Sequence, residues 1–160
     1  MGIFETNGRI VREFKGDFKE PSYVAWNEEY EIAAVSDGGQ RAVYLYDANG
    51  HLLNKLGEQL HGSQSDEDIG PLIYPSGVSW FSDGRLLVAD RAEHRVVLFD
   101  LRNQSAETIL TDQDGLGNPV ALATNAKNRI VLSEEFYDFG VDKYHLKLFK
   151  HRPQPFNNEF

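Results

Sequence analysis

The chain has 160 residues, 41% of them hydrophobic and 12% aromatic, which suits one compact domain with a real core. Its net charge of −9 argues against phosphate-backbone binding as a default activity. The absence of cysteine excludes disulfide frameworks, thiolate metal sites and a thiol nucleophile, and no apolar run approaches the roughly 20 residues of a membrane helix.

From the N-terminus, Met1-Gly2-Ile3-Phe4 soon becomes charged, so no signal peptide is expected. Asn7-Gly8 followed by Arg9–Phe14 matches Asn49-Gly50 and the residues after it, which predicts one extra strand within residues 1–14. Three copies of a longer pattern follow. Pro21, Pro75 and Pro119 each open a first strand in which Val24, Val78 and Leu122 match, as do Trp26, Trp80 and Thr124. The second strands read Ala33–Asp37, Leu86–Asp90 and Ile130–Glu134, each ending in an acid. The third strands match Val43, Val96 and Leu146, then Leu45, Leu98 and Leu148. A fourth strand is expected over His51–Leu56 and again at Glu107–Leu110.

Alternation of bulky and small side chains, instead of apolar and charged ones, implies sheets packed on both faces. Four short strands in a period of about 40–45 residues indicate a β-propeller. The expected fold is all-β, with three four-stranded antiparallel blades over about 21–56, 75–110 and 119–150. Residues 1–152 form this propeller segment and 153–160 a tail, in which Pro153 and Pro155 mark an end. One N-terminal strand, then four, four and three, make 12 strands. Three blades are too few to close a ring. Missing N-terminal blades of a longer chain, or a homodimer closing a six-bladed ring, would each complete it.

Asp37, Asp90 and Glu134 invite a catalytic or calcium reading, but their recurrence at one repeat position favours a structural role at the turn that leaves the second strand. His51, His61, His94, His145 and His151 share no repeat position near an axis, so no metal site and no cofactor are expected. Ser65-Asp66-Glu67-Asp68 lacks EF-hand spacing and reads as a solvated loop. The loops between second and third strands emerge at one end of a propeller. They would present Arg41, Arg91, His94 and Arg95 there, with Phe136, Tyr137, Phe139 and Lys143 from a longer loop over Glu135–Lys143 in the third copy. Basic and aromatic groups together suit a protein partner, or single-stranded RNA as the alternative. Lys147 alternates with Leu146 and Leu148 and reads as an edge lysine that discourages aggregation.

Pro75-Ser-Gly-Val-Ser-Trp80, Asp83-Gly-Arg-Leu-Leu-Val-Ala-Asp90 and His94-Arg-Val-Val-Leu-Phe-Asp100 together resemble the NHL repeat. The first copy keeps Val35-Ser-Asp37 and Val43-Tyr-Leu-Tyr-Asp47, whereas the third has Glu134 for Asp and the longer loop. The resemblance implies half of a six-bladed propeller of the kind found at the C-terminus of tripartite-motif proteins, including ubiquitin ligases. Family members bind proteins or single-stranded RNA, and related propellers include a metal-dependent lyase and lactonases. The expectation is therefore a cytoplasmic, non-catalytic scaffold for protein–protein interaction, such as the substrate-recognition part of a ligase whose catalytic domain lies elsewhere. RNA binding through the loop end is the alternative, and a metal-dependent propeller enzyme is third.

Overall fold

The computed structural model describes residues 2–4, 6–57, 71–138 and 141–150. Most of the long polar loop, with His61 and Ser65–Asp68, lies outside them, as do Phe139 and the tail 153–160. Thirteen strands among the described residues make four antiparallel sheets. β1 (Gly2–Phe4) pairs with β2 (Ile10–Glu13). The first blade is β3 (Pro21–Asn27), β4 (Ile32–Asp37), β5 (Ala42–Asp47) and β6 (Leu52–Leu56). The second is β7 (Pro75–Trp80), β8 (Leu86–Asp90), β9 (Arg95–Asp100) and β10 (Ser105–Leu110). The third has three strands, β11 (Asn118–Thr124), β12 (Arg129–Asp138) and β13 (Val141–Lys150). In each blade the strands follow chain order, and the first strand β7 packs between β3 and β11. The chain is an all-β propeller segment.

Turn chemistry shapes these meanders. At Asn49-Gly50, the Asp47 carboxylate accepts the Asn49 and His51 N–H groups, both at 2.8 Å, while Gly50 supplies the left-handed φ of 82°. These donors, the His51 N–H first, hold the Asp47 carboxyl below its ordinary value.

The core consists of blade-to-blade interfaces. The forward face of the first blade (Ala34, Val43, Leu45) meets the rear face of the second (Val78, Leu86, Val88, Val97, Phe99). The forward face of the second (Leu87, Ala89, Val96, Leu98) meets the rear face of the third (Leu122, Ile130, Leu132). A fourth-strand leucine and a lead-in leucine lie at each junction: Leu56 with Leu72, then Leu110 with Leu116. The close approach is visible at Gly77, where a Cβ would stand 2.7 Å from the Leu122 amide nitrogen and 2.8 Å from the Ala121 Cα. The rear face of the first blade (Ala33, Val35, Tyr44, Tyr46) is covered by Phe14 and Phe18, whose rings lie 5.4 Å from Tyr46 and Tyr44 respectively.

Two expectations are corrected. The N-terminal segment supplies two strands, not one, because Phe4 before the Asn7-Gly8 turn belongs to a strand as Tyr46 does before Asn49-Gly50. The expected loop Glu135–Lys143 is a continuation of the β12–β13 hairpin, paired through Asp138 and Val141. Phe136-Tyr137 favours extended backbone. His145 consequently lies in the middle of β13 instead of at its start.

Candidate functional site

The three acids that recur at the end of the second strand are buried. Their partners lie mainly in the segment leading into the same blade, some 17 residues away, and less in the turn that follows. The Asp37 carboxylate accepts N–H bonds from Lys19 (2.8 Å) and Glu20 (2.9 Å), and one from Gln40 in the turn (3.0 Å). Asp90 accepts from Ile73 (3.2 Å) and Tyr74 (2.9 Å) and pairs with Arg95 at 3.0 Å; its side chain makes no cap bond in the turn. Glu134 accepts from Gly117 (2.8 Å) and pairs with Lys147 at 2.5 Å, with His145 at 3.6 Å. Burial would raise the Glu134 carboxyl, but Lys147, the Gly117 N–H and His145 together hold it below its ordinary value. Lys147 also donates to the Gly115 carbonyl, so it is a half-buried ion-pair member and not a bare edge lysine. Each acid staples a lead-in segment to its blade.

The basic residues expected at this end are largely consumed in joining blades. Arg91 pairs with Glu135, and His94 Nδ1 lies 3.2 Å from the Gly117 carbonyl, so both cross from the second blade to the third. Arg95 is held by Asp90 and donates to the Pro71 carbonyl at 2.8 Å. Tyr74 crosses to the first blade, its hydroxyl 3.3 Å from the Glu20 carboxylate, and burial and then Glu20 raise its pKa. Arg41 and His94 occupy equivalent left-handed positions, with φ of 55° and 49°, closing short helical turns after Asp37 and Asp90. Arg41 is exposed. Phe136 and Tyr137 fall on β12, Lys143 is an exposed residue of β13, and Phe139 is outside the described residues. Among the described residues, no three His, Cys, Asp or Glu side chains converge as metal ligands would.

The opposite end holds an open groove of about 290 Å³. It is lined by Trp26, Glu28 and Glu29 from the first blade, Trp80 and Phe81 from the second, and Thr124 from the third. Its volume sits at the lower edge of the range of ligand pockets. The Trp26 indole N–H donates to Glu28 at 2.9 Å and the Trp80 indole N–H to the Ala25 carbonyl at 3.3 Å. Thr124, at the same repeat position, donates to the Trp80 carbonyl at 2.5 Å. Trp26 is 39% exposed, and Glu28 and Glu29 are exposed beside it. The sequence does carry a signal for it: Trp26, Trp80 and Thr124 match at or beside the ends of the three first strands, and the residues that follow them complete the lining.

A family model described as the NHL repeat matches residues 72–99, spanning the lead-in and first three strands of the second blade. No curated protein sequence matches the chain. Solved structures similar to it include Kuenenia stuttgartiensis hydrazine synthase, at TM-score 0.58 and 12% identity over 78% of this chain and 32% of that one. Virginiamycin B lyase from Staphylococcus aureus matches at TM-score 0.58 and 11% identity, over 89% of this chain and 46% of that one. A luciferin-regenerating enzyme matches at TM-score 0.53 and 14% identity, over 76% and 39%. The chain thus spans a third to a half of the structures it resembles, and at such identities the likeness concerns the fold alone. Among the described residues, no helix is long and apolar enough to cross a membrane.

Proposed function

We propose that the chain is a non-catalytic propeller scaffold that binds a protein partner, and that the bound element is a basic peptide segment received in the Trp26–Trp80 groove. One observation supports this reading above others: two indoles and two exposed carboxylates, Glu28 and Glu29, line one open concavity. A lysine or arginine side chain offers a cation for both kinds of group. The same acidity disfavours the phosphates of RNA, and Arg91, Arg95 and Lys147 at the other end are already neutralised by Glu135, Asp90 and Glu134. The repeat acids, with their structural partners, are poorly placed for catalysis.

Titration of the protein with arginine- and lysine-rich peptides, followed by tryptophan fluorescence, tests the proposal. Saturable binding is expected, weakened roughly two- to fivefold by Trp26→Ala and also weakened by the pair Glu28→Lys and Glu29→Lys, since a cation–π contact at an exposed site contributes about 0.5–1 kcal/mol. Binding of single-stranded RNA in preference to basic peptide, or peptide binding indifferent to these substitutions, would refute it.

A further inference from the structure

The two terminal blades each present half of the interface that the interior blades complete. Three repeat positions on the forward face are sealed in the first and second blades and bare in the third. Ala34 and Leu87 are buried while Val131 is exposed; Val43 and Val96 are buried while Leu146 is 79% exposed; Leu45 and Leu98 are buried while Leu148 is 61% exposed. The rear face shows the converse. Val78 and Leu122 are buried in the second and third blades, but Val24 in the first is 57% exposed, with Trp26 beside it.

The rear face of the first blade is not bare throughout. Phe14 follows β2 as Leu56 ends β6, and Phe18 precedes Pro21 by the same three residues that separate Leu72 from Pro75. Both phenylalanines already cover the outer half of that face. The inner part of that face, with Val24 and Trp26, is left exposed. Among the described residues the third blade is three inner strands without a fourth.

We infer that two copies of this chain associate head to tail, the forward face of each third blade seating on the rear face of the partner's first blade, and so close a six-bladed ring. In this arrangement β13 of one copy takes the place of the three-residue β1 along β2 of the other, and β2 becomes the missing fourth strand. The turns between first and second strands support the register. Tyr30 of the first blade lies over Gly84 of the second, where a Cβ would come within 2.5 Å of the ring. Ser82 of the second donates to Asn128 of the third. Glu31, Gly84 and Asn128 all have positive φ (51°, 83° and 52°), which marks them as equivalent positions. The next contact in the series brings Lys127 of the third blade to Glu31 of the partner's first blade, an opposite-charge pair. Both residues are exposed in the single chain. The inference concerns how the ring is built and goes beyond the peptide groove; either can fail without the other.

The test is the mass in solution of the intact 160-residue chain by sedimentation equilibrium at micromolar concentration. The expected mass is twice the 18.1 kDa of one chain. Leu146→Glu with Leu148→Glu, in a three-stranded blade whose buried face is untouched, is expected to give a folded monomer, or a dissociation constant raised at least 100-fold. Lys127→Glu is expected to weaken the dimer, and Glu31→Lys added to it to restore it. Because the chain has no cysteine, Val24→Cys and Leu148→Cys chains can be mixed with a short bismaleimide. Cross-links are expected in the mixture and not in either protein alone. A well-folded wild-type monomer would overturn the inference. So would an open-ended polymer, or a dimer that survives Leu146→Glu with Leu148→Glu.

Discussion

Replacing Asp90 by alanine tests whether the repeat acids are staples or functional groups. The Asp90 side chain is fully buried. Its carboxylate accepts the Tyr74 N–H at 2.9 Å and the Ile73 N–H at 3.2 Å, and it holds Arg95 through Nε at 3.2 Å and Nη2 at 3.0 Å. Alanine removes the acceptor from two lead-in amides and strips a mostly buried guanidinium of its counter-ion. Hydrogen bonds to a charged group contribute about 1.5–3 kcal/mol each. Removing one member of a buried pair costs about 3–5 kcal/mol. These terms overlap, because the remaining bond from Arg95 to the Pro71 carbonyl and incoming water relieve part of the loss. A total of about 3–5 kcal/mol is expected, a large part of the roughly 5–15 kcal/mol that stabilises a typical domain. With a urea m-value of about 2 kcal/mol/M, the midpoint should fall by roughly 2 M. Urea titration at one fixed protein concentration, read by tryptophan fluorescence, measures this. Asp90→Asn should lose less, since one acceptor oxygen survives. A midpoint shift below about 0.3 M for the alanine variant would refute the staple and leave Asp90 free for a functional role.

The remaining predictions are briefer. The Glu134 carboxyl is held below its ordinary value of 4.5, so it contributes stability that is fully present above that value and is lost as pH falls through the lower folded-state value. Glu134→Gln should flatten that acid limb in pH-dependent thermal melts. Gly77→Ala places a Cβ against backbone atoms of β11 that have no flexible end to yield; a loss of about 1–3 kcal/mol is expected in the same urea assay. Arg41→Gly relieves a left-handed φ of 55° and is expected to stabilise the fold by up to about 1 kcal/mol, offset by the greater chain entropy of glycine, with no change in basic-peptide affinity at the opposite end. A fall in that affinity would place the binding surface at the wrong end.

Much of the fold is legible in local physics. Alternation of side chains along a strand and glycine- or asparagine-bearing turns are short-range effects, so Pro21–Trp26, Leu86–Asp90 and Val43–Asp47 read as strands from their own residues. The outer half of the β12–β13 hairpin is not legible in that way, because Glu135–Lys143 departs from the repeat pattern and carries a glycine, and so reads as a loop until its pairing partner is known. The recurrence of the acids is plain in the sequence, but their partners are not. The amides of Lys19, Ile73 and Gly117 reach Asp37, Asp90 and Glu134 only after the chain has folded back by some 17 residues.

The sequence by itself determined the period, the strand faces and the turn chemistry, because each depends on residues within a few positions of one another. Tertiary structure decided what those faces meet. Val43, Val96 and Leu146 are one repeat position with nearly one chemistry, yet the first two are sealed and the third lies open. Burial belongs to the pair of surfaces and not to the side chain, and only the arrangement of blades in space determines whether a second surface is there.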